Sequence, residues 1–259
     1  MINLLKNAAL EGGEILKNGF TQTKSVHKKG AVDLLTQYDL AVESCVKKAL
    51  AKSLPGWEIV AEESGGTAQR GKRIFIDPID GTTNFVHGHP FCCVSIGAWE
   101  DETPVAGVVY APLLNELYTA EAGKGAFCNG EKIHVSDCAD LRESLLSTGF
   151  PYSVFENEAV TKQVEAWLFK ALRSSQGVRR CGAAAIDLAH VAKGIYAGFW
   201  EMGLKSWDVA AGILLIREAG GKITTLDGRP FGVQSGDIIL ATNGRIHDEL
   251  KELLTAGEF

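Results

Sequence analysis

Arg73-Ile74-Phe75-Ile76-Asp77-Pro78-Ile79-Asp80-Gly81-Thr82-Thr83-Asn84-Phe85 is the stretch on which the fold turns. Its apolar opening, Arg73-Ile74-Phe75-Ile76, predicts a short buried strand that ends at Asp77. Pro78 has no N–H to give to a ladder, so the strand is expected to stop there. Asp77 and Asp80 then stand on a rigid turn at a strand end. Gly81-Thr82-Thr83 offers backbone N–H groups that can open a helix and cradle an anion. Hard cations such as Mg²⁺ seek carboxylate and phosphate oxygens together. The segment supplies the first and a seat for the second. A bare pair of aspartates at this spacing also reads as a turn capped by its own side chains.

Further carboxylates stand at other element boundaries. Glu62-Glu63-Ser64 follows the apolar pair Ile59-Val60. Downstream, Glu201-Met202-Gly203-Leu204-Lys205-Ser206-Trp207-Asp208-Val209-Ala210-Ala211-Gly212 leads to Glu218-Ala219-Gly220-Gly221. Alone, Asp208 reads as a first-turn carboxylate that favours a helix dipole. Taken together, and in this order from about Asp33 to the end, these motifs resemble the signatures of the inositol monophosphatase family of Mg²⁺-dependent, lithium-sensitive phosphatases. The resemblance implies an α/β fold, the five-layer αβαβα sandwich of the inositol monophosphatase and fructose-1,6-bisphosphatase type. It also implies a homodimer and a small phosphomonoester substrate.

Four converging carboxylates would repel one another and raise each other's pKa values, a cost that divalent cations cancel. By resemblance, Asp77 bridges two Mg²⁺ ions. Glu62 and the carbonyl of Ile79 complete one, Asp80 and Asp208 the other, and a third, weaker ion lies near Glu62. Lys28 or Lys29 matches a loop lysine close to that third ion. Glu62 is the implied base for a water activated by the metal, helped by Thr82, whose hydroxyl is oriented by Asp39. Asp39 equally suits a capping box, Thr36-x-x-Asp39, and the two roles are compatible. Gly81 and Thr82 would hold the phosphate through their N–H groups, with Asp80 and Asp208 also facing the substrate. Gly182, Ala183 and Ala184 match the segment that meets a polyol ring, and also read as a small-residue helix start that permits close packing. Glu201 matches a carboxylate that accepts hydrogen bonds from ring hydroxyls. His87 and His89 form an HxH pair, but next to an oxygen-rich centre they do not read as ligands of a transition metal.

The implied activity is hydrolysis of inositol monophosphate to inositol and phosphate. Related substrates are fructose 1,6-bisphosphate, histidinol phosphate or a 3′-phosphoadenosine nucleotide. A non-catalytic binding protein on the same fold is the reading from a different class.

The chain has 259 residues, 46% hydrophobic and 22% charged, an ordinary composition for a soluble globular protein. Its net charge of −6 gives no electrostatic footprint for nucleic acid. Six cysteines without a CxxC pair read as buried, reduced thiols, which together with the absence of a signal segment or membrane-length apolar run predicts a cytoplasmic protein. Cys92 and Cys93 should face opposite ways on one strand. Helical spacing from Leu4 to Leu16 predicts a first helix, and His27-Lys28-Lys29-Gly30 a polar loop. A second helix runs from near Tyr38 to Leu54. Close-set strands up to an Asn129-Gly130 hairpin predict a largely antiparallel first sheet. Alternating strands and helices from Ser144 onward predict a second sheet covered by helices. The halves, 1–140 and 141–259, are expected to share one continuous core.

Overall fold

The structure, a computed structural model, describes residues 1–30, 33–66 and 70–257. Helix α1 (Ile2–Gly19) buries Leu5, Ala8, Ala9, Gly12 and Leu16, the stripe that a 3.6-residue period brings to one side. A small antiparallel hairpin follows, β1 (Val26–Lys28) against β2 (Leu34–Thr36). The polar run at 27–30 therefore is not all loop: His27 and Lys28 belong to a strand, because β2 supplies a ladder partner invisible in a local window. Helix α2 (Gln37–Ser53) starts at a capping box. Thr36 Oγ1 accepts from the Tyr38 N–H at 3.1 Å, and the Asp39 carboxylate accepts from the Thr36 N–H at 2.7 Å.

The first sheet has seven strands: β3 (Glu58–Ala61), β4 (Lys72–Asp80), β5 (Cys93–Glu100), β6 (Thr103–Ala111), β7 (Glu116–Glu121), β8 (Gly125–Cys128) and β9 (Glu131–Ile133). Each lies beside its successor, and only β3 and β4 run parallel. Asn129 (φ 52°) and Gly130 (φ 86°) close the β8–β9 hairpin, as the Asn-Gly pair predicts. The short helix α3 (Thr82–His87) joins β4 to β5.

The second sheet has five strands, β10 (Leu145–Thr148), β11 (Gly177–Arg179), β12 (Gly198–Glu201), β13 (Lys222–Thr225) and β14 (Ile239–Thr242), in the spatial order β11-β10-β12-β14-β13. Helices α4 (Glu158–Ser174), α5 (Ala184–Ala192), α6 (Ser206–Glu218) and α7 (His247–Thr255) complete the fold.

Three hydrophobic cores stack these elements into five layers. Leu5, Leu16, Val42 and Val46 of α1 and α2 pack on Ile74, Ile76, Val94 and Ile96, one face of the first sheet. On its other face Phe75, Cys93 and Val109 share a core with Leu188 of α5, Ile213 and Leu215 of α6, and Phe199 and Ile239 of the second sheet. Trp167 of α4 and Leu250 and Leu254 of α7 cover the far face of that sheet at Leu146, Trp200 and Leu240. The result is the αβαβα sandwich, and Cys92 and Cys93 do enter opposite cores. All six cysteines are free. The buried-thiol reading holds for Cys92, Cys93 and Cys128 only; Cys45, Cys138 and Cys181 are half-buried.

The central helices lie very close to the first sheet. A Cβ at Gly97 would sit 2.6 Å from Ala210 Cβ of α6. This contact fixes the start of α6, and with it Asp208, against the sheet.

Strand β4 does not stop at Asp77. It continues to Asp80, pairing Asp77 with Ser95 and Asp80 with Cys93, so that three steps on β4 oppose two on β5. This is a one-residue bulge, and Pro78 fits there because a bulge asks no ladder hydrogen bond of it. The bulge decides the site. Side chains alternate along a strand, so Asp77 and Asp80 would otherwise point to opposite faces. Instead Ile76 and Ile79 both enter the α1–α2 core, whereas Asp80 reaches α5 on the face to which Phe75 and Asp77 belong.

Candidate active site

A cavity of about 760 Å³ opens where the ends of both sheets meet α3, α5 and α6. It is lined by Glu62, Asp77, Ile79, Asp80, Gly81, Thr82, Glu201 and Asp208, and by Lys28, Gly182, Ala183 and Ala184. Every residue given a catalytic, metal or substrate role from the sequence thus lies on this wall except Asp39, which is buried directly behind Thr82.

Local structure positions each group. Glu62 follows β3, and its N–H donates to the Ile76 carbonyl at 3.1 Å, tying it to β4. Asp80 accepts the Ala185 N–H at 2.6 Å, in the first turn of α5. Asp208 accepts the Lys205 N–H at 2.6 Å, at the first turn of α6. Each aspartate thus has one oxygen held at a helix start. The Thr82 hydroxyl shares its proton between Asp39 Oδ1 and the Ile79 carbonyl, both 3.0 Å away. Asp39 Oδ2 meanwhile holds Thr36, so the capping role and the orienting role coexist, one per oxygen. Gly81 caps α3 at φ 88°, a left-handed conformation that a Cβ would strain, and that Cβ would lie 2.8 Å from the Phe91 carbonyl.

Burial and mutual repulsion dominate the electrostatics. Burial first, then the charges of Glu62, Asp80 and Asp208, hold the Asp77 carboxyl well above the usual carboxylate range. Burial pushes Asp80 up to about 7 against the hydrogen bond from Ala185. Burial and the Asp80 charge push Asp208 up to about 7. Burial and the charges of Asp208 and Asp80 push Glu201 up to about 8. Glu62 is also raised, chiefly by burial, although the Lys29 ammonium 2.7 Å away acts in the other direction.

These groups fit a hard divalent cation. Asp77 Oδ1 is buried and has no hydrogen-bond partner, which is a costly state for a carboxylate oxygen unless a cation meets it. The donor set is all oxygen: carboxylates and the Ile79 carbonyl, as Mg²⁺ prefers. Among the described residues no three Asp, Glu, His or Cys side chains close around one point as a finished cage. Lys29 supplies positive charge beside the acids, 2.7 Å from Glu62 and 2.9 Å from Glu63. Of the two lysines at 28 and 29, it is Lys29 whose ammonium reaches the acidic pair. Burial works against that charge, but Glu62 and Glu63 raise its pKa on balance. His87 lines the cavity, whereas His89 stacks on Phe91, so the HxH pair does not converge.

Some residues of the site escape a sequence reading. Asn84 Nδ2 donates to the Phe91 carbonyl at 2.7 Å and the Cys181 carbonyl at 2.8 Å, binding α3 to the strand after it and to the start of α5. Its only mark in the sequence is its place between Thr83 and Phe85, next to the paired aspartates. Glu43, one face of α2, accepts the Glu63 N–H at 2.8 Å. The wall formed by residues 149–155 carries no motif at all.

Among the described residues no helix is long and apolar enough to cross a membrane. Residues 1–257 match the inositol monophosphatase family. An inositol-1-monophosphatase of Synechocystis is 40% identical over 98% of this chain and 88% of its own length. The extragenic suppressor protein SuhB of Bartonella henselae superposes with a TM-score of 0.92 at 37% identity, covering 99% of this chain and 98% of its own. A solved IMPase/NADP phosphatase complexed with Mg²⁺ and phosphate has a TM-score of 0.82 at 26% identity, over 96% of this chain and 92% of its own. Sequence, layered fold and acidic cavity agree, and the chain belongs to the inositol monophosphatase family, as a phosphoric monoester hydrolase.

Proposed function

We propose that this enzyme hydrolyses inositol monophosphate to inositol and phosphate, with two to three Mg²⁺ ions held by Glu62, Asp77, Asp80, Asp208 and the Ile79 carbonyl. The observation that carries the reading is the buried, partnerless Asp77 oxygen on a bulge that brings Asp77 and Asp80 to one face. The similarity to an inositol-1-monophosphatase, and to a structure holding Mg²⁺ and phosphate, supports the substrate and the metal. When bound, Mg²⁺ would neutralise the phosphate and lower the pKa of a nearby water.

The residues of the chain do the rest. Gly81 and Thr82 present their N–H groups to the phosphate at the start of α3. Glu62 accepts the proton of the attacking water, an assignment in keeping with its raised pKa. The Thr82 hydroxyl, held by Asp39, orients that water. Glu201, a carboxylate whose pKa burial and the Asp208 and Asp80 charges raise in the metal-free site, accepts hydrogen bonds from ring hydroxyls. Gly182, Ala183 and Ala184 leave room for the ring beside Asn84. The two halves, 1–140 and 141–259, act as one unit in this reading, because Asp208 and Glu201 come from the second and the other acids from the first.

The test is phosphate release from inositol 1-phosphate with Mg²⁺ and with EDTA. Turnover that needs Mg²⁺ is expected. Absence of Mg²⁺-dependent release from any phosphomonoester would overturn the proposal.

A further inference from the structure

The cavity has a wall that inositol phosphate chemistry does not require. Phe150, Tyr152 and Phe155 line it, yet all three stand outside the three hydrophobic cores. Tyr152 is 56% exposed and Phe155 68% exposed. Exposed large apolar side chains that cluster in a cleft mark a binding surface more often than a structural one.

Local geometry makes the cluster a single face. Tyr152–Phe155 is a turn of 3₁₀ helix, closed by the Val154 N–H on the Pro151 carbonyl at 3.0 Å. In a 3₁₀ helix side chains at i and i+3 eclipse, so Tyr152 and Phe155 project on the same side. The Thr161 hydroxyl holds the Val154 carbonyl at 2.7 Å and anchors the turn to α4. The Arg180 guanidinium lies 5.2 Å from the Phe150 ring centre and extends the face.

The same segment is fitted to the substrate side of the site. A Cβ at Gly149 would collide with the Glu201 carboxylate, and one at Gly203 would lie 3.1 Å from Pro151. The turn is therefore seated directly on the group assigned to the leaving alcohol. A cavity of about 760 Å³ is in the upper part of the range for drug-sized ligands, and a single cyclitol ring with its phosphate leaves much of it unfilled.

We infer that the 149–155 turn is a specificity element that accepts phosphomonoesters whose alcohol carries a planar aromatic ring, with that ring lying on Tyr152 and Phe155. The inference rests on the phosphatase reading above and assigns to it the residues that would select an aromatic alcohol. Stacking on an aromatic face strengthens binding of a planar group beyond the area it buries.

The experiment compares 2-naphthyl phosphate with inositol 1-phosphate, both with Mg²⁺, in the wild type, Phe155→Ala, Tyr152→Ala and Phe155→Trp. Both positions are exposed, so the substitutions leave the cores untouched. The ratio of kcat/KM for the aromatic substrate to that for inositol phosphate is expected to fall about three- to tenfold in each alanine variant. The loss should appear in KM, and Phe155→Trp should restore the ratio. A ratio that stays within about twofold in both alanine variants, or that Phe155→Trp fails to restore, would overturn the assignment. If the wild type hydrolyses inositol phosphate but not the aromatic ester, this inference alone fails. If it hydrolyses neither, the phosphatase reading fails with it.

Discussion

Asp77→Asn should make the metal-free protein more stable while it abolishes turnover. Burial and three neighbouring acids raise the Asp77 pKa well above 3.8. A carboxylate raised in the folded state contributes stability that is complete below its unfolded pKa and is lost as pH rises. The loss is 1.36 kcal/mol per pH unit above 3.8, with a ceiling of about 4 kcal/mol at pH 7. Asparagine removes this pH-dependent term. Since Asp77 Oδ1 has no partner, the new amide brings an unsatisfied group that costs about 1–3 kcal/mol. The net gain at pH 7 is therefore bounded at about 3 kcal/mol, which caps the rise in Tm at about 6–12 °C for a chain of this size. Near pH 4 the gain disappears and the sign reverses. Thermal melts in EDTA at pH 4, 5, 6 and 7 read this directly. Mg²⁺ should then raise the wild-type Tm by mass action and the variant's much less. A variant that melts below the wild type at pH 7 in EDTA refutes the electrostatic argument. Retention of more than a small fraction of wild-type kcat refutes the assignment of Asp77 as the bridging ligand.

Thr82→Val should lower kcat about a hundredfold or more, since it strips the hydroxyl that Asp39 orients, and leave a buried Asp39 oxygen unpaired at a cost of about 1–3 kcal/mol; steady-state kinetics and denaturant melts measure the two effects. Asp80→Ala or Asp208→Ala should blunt both turnover and the response to millimolar Li⁺, and a variant that keeps full turnover and Li⁺ sensitivity contradicts the ligand set. Gly149→Ala should raise KM for inositol phosphate by displacing Glu201, with little change in affinity for Mg²⁺ measured by calorimetry. Sedimentation at micromolar concentration should show a homodimer, and a monomer alone would remove that expectation.

The acids that line the cavity were legible in the sequence because they sit in short motifs at the ends of apolar runs, where a strand or helix is expected to stop. The layers were legible because period-two and period-3.6 patterns alternate along the chain. What was not legible depended on a partner strand. Pro78 reads as a terminator, and only the register against Ser95 and Cys93 shows that β4 passes through it. Lys28 and Lys29 are indistinguishable as letters; the β1–β2 pairing determines which ammonium reaches Glu62. Tyr152 and Phe155 carry no motif, and their common face exists only once the 3₁₀ turn forms.

The bulge at Pro78 and Ile79 has a consequence for how this enzyme tolerates changes of length. In most strands a lost residue turns everything beyond it to the other face. Here the three-residue step from Asp77 to Asp80 is odd, and the bulge supplies the missing parity. Deletion of Pro78 or Ile79 would leave two regular steps, which also keep Asp80 on the face of Asp77. The flip comes instead from pairing the full-length segment without its bulge, when Asp80 would swing into the greasy layer under α1 and α2. Every acid would still be encoded in order, yet the cluster would be broken. Pro78, which has no N–H to give to a regular ladder, works against that slip.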